Sequence, residues 1–328
     1  MNRKTLDDFL HSALPDYEKV TMIAGDASFR RYFRVEQYGI SYIVMDAPPT
    51  HENVELFVQV ATGFAQAGLN VPEIIESDFD NGYLLLSDFG DETLQSVLSV
   101  FPDTWLPICL DNLLKLQRQG GQHLLELPEY DSSVLLRELS LCPEWFITEL
   151  LGEKLNQDEE NLLHDLNRLL IDSAQNQPQV WVHRDYHCRN LMKVSDTAIG
   201  IIDFQDAVLG PITYDLVSLL KDCYVRYPKN TVTQYLKDFY IELVGAEMYH
   251  QDFQSFQRSF DLMGLQRHLK VLGIFSRLAI RDNKKMYLND LPLVMDYVFE
   301  VLTKYSELQR YIPMFERLGR TLETKILQ

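Results

Sequence analysis

The sequence is short of positive charge. Its 30 Lys and Arg face 48 Asp and Glu, for a net charge of −18. Such an excess repels nucleic-acid phosphates and anionic membranes, so neither is an expected partner. Lysine is absent altogether from Val20 to Leu114. No apolar run reaches the ~18 residues that a transmembrane helix needs. The N-terminus carries Asp7 and Asp8 inside its apolar pattern and does not read as a signal peptide. The four cysteines, Cys109, Cys142, Cys188 and Cys223, lie far apart and form no C-x-x-C pair. That usage fits a reduced, cytoplasmic protein better than a disulfide or zinc framework. There is no internal repeat and no low-complexity tail. A chain of 328 residues, 46% hydrophobic, is long enough for a large core and for two lobes.

The periodicity changes character along the chain. Leu6, Phe9, Leu10 and Leu14 recur at helical spacing, so residues 3–14 read as an amphipathic helix stopped by Pro15. Segments 17–24, 31–36 and 41–45 alternate or run apolar between Gly25 and Gly39, which predicts an antiparallel meander. Residues 54–67 follow as a helix ended by Gly68, and 73–77 and 83–87 complete a five-stranded sheet. Beyond Thr93 the apolar spacing is helical: 105–117, 134–151, 158–173, 214–224, 232–243, 253–278 and 291–304. The expected class is α+β, with a boundary near residue 90 dividing an N-terminal lobe (1–90) from a mainly helical C-terminal lobe (91–328).

One stretch interrupts the helices. Residues 180–182 form a short strand leading into His183–Arg184–Asp185–Tyr186–His187–Cys188–Arg189–Asn190, and two further short strands, 191–194 and 198–202, lead to Asp203. Asp185, Asn190 and Asp203 thus fall at strand ends within 19 residues. Asn190 and Asp203 offer hard oxygen ligands for Mg²⁺, and Asp185 can accept the proton of an attacking hydroxyl. D-x₄-N is the spacing of a protein-kinase catalytic loop, and I-D-F begins twelve residues after Asn190. Asp206 and Asp215, which follow, are read equally well as turn formers or helix caps. H-x-D-x-H also suggests a metal hydrolase, but further His or Asp ligands are missing near the other strand ends.

HRDYHCRNLM followed by IIDFQDAVLGPITYDL resembles the aminoglycoside phosphotransferase and choline kinase superfamily. Outside that core, AGDASFRRYFR at 24–34, MDAPP at 45–49, QRHLKVLG at 266–273 and Tyr287 with Asp290–Leu291–Pro292 resemble the bacterial anomeric amino-sugar kinases. The resemblance implies a protein-kinase-like bilobal fold that transfers phosphate from ATP, with Mg²⁺, to the C1 hydroxyl of N-acetylmuramate and N-acetylglucosamine for peptidoglycan recycling. A small amino sugar is the expected partner in the cytoplasm, and the sequence leaves the oligomeric state open, a monomer among the alternatives. Asp185 and Arg189 become catalytic and Asn190 and Asp203 metal ligands. Residues 25–31 become the loop over the phosphates, with Ser28, Arg30 and Arg31 as contacts. Asp88 and Phe89 fall at the hinge that meets adenine.

The resemblance also exposes a departure. Kinase-like folds use a strand-three lysine to hold phosphates, and Met45–Asp46 stands in its place here. Cationic help must then come from Arg30, Arg31, Arg34 or His51, and Arg31, closing the loop, is the expected substitute. A sugar pocket is expected among the polar and aromatic members of apolar helices: Glu138, Trp145, Arg267 and His268, with His187 on the acceptor side. Glu144 and Arg281 share that character. Two readings compete: an aminoglycoside- or choline-type kinase, and a nucleotide-binding pseudokinase, which the missing lysine favours.

Overall fold

The computed structural model describes residues 4–23, 29–118 and 125–326. In chain order the elements are α1 (Leu6–Ala13), β1 (Lys19–Met22), β2 (Arg31–Gln37), β3 (Ile40–Asp46), α2 (Val54–Gln66), β4 (Ile74–Asp78), β5 (Tyr83–Ser87), α3 (Gln95–Leu98), α4 (Pro102–Arg118) and α5 (Ser132–Leu139). A π-helix (Cys142–Leu150) precedes α6 (Gln157–Gln175). Then come β6 (Gln179–Val182), β7 (Leu191–Lys193), β8 (Ile199–Ile201), β9 (Val208–Pro211), α7 (Tyr214–Leu220), α8 (Lys229–Gly245), α9 (Phe253–Arg281), α10 (Leu291–Lys304) and α11 (Ile312–Ile326). The chain divides into two compact units. The first holds residues up to 94, together with Leu125 and 189–206; the second holds the rest.

The first unit is built on an antiparallel sheet in the order β1-β2-β3-β5-β4. Tyr38 and Gly39 both have positive φ, +50° and +77°. That is the backbone of a two-residue type I′ turn, whose twist matches the strands it joins. Side chains alternate across the sheet. On one face Val35, Val44 and Leu85 pack against Phe9, Leu10 and Leu14 of the α1 region, with the Phe9 ring stacked on Tyr83 at 5.3 Å. Tyr32, Arg34, Ile43 and Leu86 point to the other face. β7 and β8 pair with each other and join this unit through backbone bonds from Leu94 to Leu191 (2.7 Å), Lys193 to Glu92 (2.7 Å) and Ile201 to Asn70 (2.8 Å).

The second unit is mainly helical, around α9. Leu265, Leu269 and Leu272 of α9 pack with Leu139, Phe146, Val298 and Phe315 in one large core. β6 and β9 form a two-stranded antiparallel ribbon. The expected helix over 134–151 is divided: α5 ends at Leu139 and the π-helix begins at Cys142. Pro143 lacks an N–H and sits in the first turn of that π-helix, where Thr148 Oγ1 donates to its carbonyl at 2.9 Å. The break is also where α9 comes closest: a Cβ on Gly273 would lie 2.4 Å from the Leu141 carbonyl carbon. α11 has no counterpart in the sequence expectation, although Phe315, Leu318 and Leu322 recur at helical spacing and are buried. Among the described residues no helix is long and apolar enough to cross a membrane.

Gly273→Ala should therefore cost about 1–3 kcal/mol, the usual range for overpacking. Gly245→Ala, with open space around it, should stay within about 0.5 kcal/mol. Urea unfolding midpoints of the two variants check the difference.

Candidate active site

The first unit contains a cavity of about 320 Å³. Its walls are apolar: Ile23, Ile43, Leu86, Met192 and Ile202 among others. Its lining also carries polar groups, from the 87–91 segment and from Asn190 and Asp203. The segment is rigidly tied. Arg34 Nε donates to Asp88 Oδ2 at 2.6 Å, and Arg34 Nη1 donates to Asp91 Oδ1 at 2.7 Å. The Gly90 amide donates to Asp88 at 2.8 Å. Although burial opposes it, these partners hold the Asp88 carboxyl below its ordinary value. Phe89 lies flat against Gly200, where any Cβ would come within 2.4 Å of the ring. Asp88 is thus committed to Arg34, which the sequence reading offers only as one possible cation for the phosphates.

Asn190 and Asp203 come together. Asn190 Nδ2 lies 3.4 Å from Asp203 Oδ2, and Gln205 Nε2 donates to Asp203 Oδ1 at 2.8 Å. Asp203 has φ +63°, a left-handed conformation uncommon outside glycine and concentrated at functional sites. The Gln205 Oε1 atom is buried and has no hydrogen-bond partner among the described residues. A carboxylate, an amide that presents oxygen after a half-turn, and an orphaned amide oxygen form the hard-oxygen donor set that suits Mg²⁺. Among the described residues no cluster of three His, Cys, Asp or Glu forms a metal site. Arg189, half-buried, precedes Asn190 directly.

The arginines divide. Arg31 does not face the cavity. It opposes Asp46 across β2–β3 and binds that buried carboxylate through both Nε (3.1 Å) and Nη2. Strand alternation turns it to the face opposite Tyr32 and Arg34. Arg31, so engaged, is not among the residues that line either this cavity or the one that holds Arg30. Arg30 instead lies in a second, smaller cavity of the same unit, paired with Glu52 at 2.9 Å. Ser28, with the 24–28 part of the expected loop, lies outside the described residues.

In the second unit the catalytic-type loop hangs on two buried carboxylates. Asp215 accepts from the His183 amide at 2.6 Å and the Arg184 amide at 3.1 Å. Asp222 accepts from the Cys188 amide at 2.9 Å. Burial pushes the Asp215 carboxyl up to about 7, against the pull of the two amides and Arg267. Arg184 is held at φ +74°, and its carbonyl accepts from Arg267 Nη1 at 3.0 Å. This fixes the peptide that presents Asp185, whose side chain is 42% exposed and 3.9 Å from Arg267 Nη1. Burial opposes ionisation of Asp185, yet Lys270 and Arg267, then His187 and His183, hold its carboxyl well below the usual carboxylate range. Asp215 resolves as an anchor of loop backbone. Asp222 was not singled out from sequence; nothing marked it in an apolar helix end.

The expected sugar-pocket residues do not gather as one group. Glu138 is buried and bonded to Arg184 Nη2 (2.5 Å), Lys270 Nζ (3.0 Å) and the Tyr130 hydroxyl. Burial opposes its charge, but Lys270 and Arg184 lower its pKa. Arg267 and His268 are 3% and 1% exposed. His268 Nε2 meets the Lys221 carbonyl at 3.0 Å, and the ring stacks on Tyr297 at 4.7 Å. Glu138, Arg267 and His268 are thus interior residues that support the loop and core. His187 packs edge-on against Tyr224 at 5.4 Å. Trp145 is half-buried on the π-helix, and Glu144 and Arg281 are exposed.

This arrangement defines a class. The profile of the phosphotransferase enzyme family matches residues 19–248, and the chain belongs to that family. It is 42% identical over 291 residues to the N-acetylmuramate/N-acetylglucosamine kinase of Pseudomonas putida, covering 88% of this chain and 85% of that one. It is 37% identical over 329 residues to the N-acetylmuramate/N-acetylglucosamine kinase of Neisseria meningitidis, covering 97% of each. Among solved structures, the choline kinase of Streptococcus pneumoniae superposes with a TM-score of 0.61 at 13% identity, covering 90% of this chain and 98% of that one. An ADP-bound aminoglycoside phosphotransferase gives 0.59 at 13% identity, with 90% and 97% covered. The expected fold, a five-stranded antiparallel sheet followed by a mainly helical part, is the fold found.

Burial lowers the His268 pKa to about 3. An unfolded histidine titrates near 6.5, so the unfolded state binds the extra proton first as pH falls. The contribution of neutral His268 is complete above about pH 6.5 and is lost as pH falls toward 3. His268→Gln should flatten the acid slope of stability by up to about 1.4 kcal/mol per pH unit below 6.5. Thermal unfolding from pH 7 to 5 measures it.

Proposed function

We propose that the protein is an ATP-dependent kinase of the anomeric C1 hydroxyl of N-acetylmuramate and N-acetylglucosamine, releasing sugar 1-phosphates. The observation that carries the reading is the 42% identity, across 88% of the chain, to a kinase so named. The geometry supports the reaction class. An apolar-walled cavity in the first unit suits a purine, with the backbone of the 87–91 segment supplying polar contacts. Asn190, Asp203 and Gln205 would hold Mg²⁺, which neutralises phosphate charge when bound. Asp185, kept anionic by the cations around it, orients the acceptor hydroxyl and takes its proton. An anomeric hydroxyl is more acidic than an ordinary alcohol, so a carboxylate suffices as base. Arg189 counters charge that develops beside Asp185. Positioning and electrostatics supply most of the rate. ATP as donor fits a cytoplasmic enzyme, and the products fit the recovery of cell-wall sugars.

One observation favours a second reading. Met45 and Asp46 replace the strand-three lysine, as they would in a pseudokinase that binds nucleotide without turnover.

Incubation with Mg·ATP and each of N-acetylmuramate, N-acetylglucosamine, choline and kanamycin, followed by ³¹P NMR, tests both. A phosphomonoester signal coupled to the anomeric proton is expected with the two sugars. Product from choline or kanamycin alone would discard the cell-wall reading, and ATP binding without any product would favour the second. Asp185→Asn should lower kcat by at least about 10²–10⁴-fold while leaving Mg·ATP affinity within about twofold of the parent protein. Single-turnover kinetics and calorimetry separate the two quantities.

A further inference from the structure

One side of α9 carries cations along most of its length. Arg267, Lys270, Ile274, Arg277 and Arg281 recur at three- to four-residue spacing and so share one face of the helix. The first part of this face is buried and meets the catalytic-type loop. Arg267 Nη1 stands 3.9 Å from Asp185. Burial opposes the charge of Asp185, and Lys270 is foremost among the cations that restore it. The second part comes to the surface: Ile274, Arg277 and Leu278 are half-buried and Arg281 is exposed. The face therefore leads from the reacting group outward.

Three of its four cations are committed. Arg267 donates to the Arg184 carbonyl at 3.0 Å, and Lys270 pairs with Glu138 at 3.0 Å. Arg281 grips Asp282 through Nε (2.7 Å) and Nη2 (2.8 Å). Arg277 is different. Its Nε is buried without a hydrogen-bond partner, and among the described residues the guanidinium makes no ion pair. Asp282, the acid that feels its charge, is the one Arg281 already holds. A buried N–H left unpaired is costly, and a ligand acceptor would remove the cost.

Position narrows the ligand. Arg277 lies seven residues past Lys270, about two turns and about 10 Å along the helix. Helical side chains lean toward the N-terminus, here toward Asp185. Beside this face runs a line of rings that starts two residues from Asp185: His187, Tyr224, Phe275 and Tyr287, with successive centroids 5.4, 5.8 and 4.9 Å apart. Such rings suit the apolar faces of a sugar. A guanidinium grips a carboxylate best, through two parallel hydrogen bonds. Of the two acceptor sugars only N-acetylmuramate carries a carboxylate, on the lactyl ether at C3, across the ring from the C1 hydroxyl.

We propose that Arg277 binds the lactyl carboxylate of N-acetylmuramate and so sets the preference between the two sugars. This rests on the kinase reading above. N-acetylglucosamine has nothing for the guanidinium to grip and binds through its ring and acetamide alone.

Initial-rate kinetics of the full chain with Mg·ATP and three acceptors test the role: N-acetylmuramate, its methyl ester and N-acetylglucosamine. Arg277→Gln should lower kcat/KM for N-acetylmuramate about 10- to 100-fold, the worth of a charge-assisted pair. The loss should fall mainly on KM, with N-acetylglucosamine and the ester within about twofold of the parent protein. Arg277→Lys keeps the charge without the fork and should fall between. The parent should prefer the acid to its ester, and Arg277→Gln should treat them alike. Unchanged kcat/KM for N-acetylmuramate in Arg277→Gln overturns the proposal. So does an equal loss with all three acceptors, which marks a merely structural side chain. A parent protein that phosphorylates none of the three overturns the kinase reading and this inference with it.

Discussion

The buried carboxylate of Asp215 sets the geometry of the catalytic-type loop. A carboxylate removed from water needs donors, and the amides of His183 and Arg184 supply them at short range. Accepting both forces the Arg184 peptide to a φ of +74°. Such a conformation costs roughly 1–3 kcal/mol and persists only where surrounding bonds over-determine it. Arg267 from α9 closes the arrangement by donating to the Arg184 carbonyl. Asp222 then fastens the Cys188 amide. Asp215 lies in the first turn of α7 and Asp222 just past its last, and every residue of α7 is buried. The loop is thus hung from both ends of a helix that has nowhere to move, and Asp185 is aimed as a consequence.

The charge distribution follows the same logic. The chain is strongly acidic in sum, yet Arg184, Arg267 and Lys270 are concentrated around Glu138, Asp185 and Tyr214 inside the second unit. Each acid there is matched by a cation at close range, where low dielectric makes the pairing strong and its loss expensive. Net charge therefore says little about the ligand. The cations around Asp185 keep its carboxylate ionised although the protein as a whole is strongly acidic.

Much of this was legible in the chain. The D-x₄-N spacing, the I-D-F that follows, and the meander around Gly39 led to the right class and the right sheet, because each is a local pattern with a local cause. What the sequence left open has one source: burial and facing are tertiary. Arg30 and Arg31 are neighbours of the same chemistry, yet one pairs with Glu52 and the other with Asp46, because side chains alternate along a strand. Glu138, Arg267 and His268 are polar residues in apolar helices, a pattern shared by ligand pockets and by buried ion clusters. Only the contacts of Lys270, Tyr130 and Lys221 tell them apart. The division of the expected 134–151 helix arises from Pro143 together with the approach of Gly273, 130 residues further on. Asp215 could cap a helix or anchor a loop until its amide partners were known.

The replacement of the strand-three lysine reaches beyond catalysis. Reagents that survey kinases commonly carry an electrophile on a nucleotide's phosphates and acylate the amine beside them. Among the described residues neither of the two cavities that Phe57 lines includes a lysine, and the sequence has none between Lys19 and Lys115. A guanidinium does not react with such an acyl donor under mild conditions. A proteome-wide inventory built on that labelling would pass over this protein and any relative with the same substitution, however active they were.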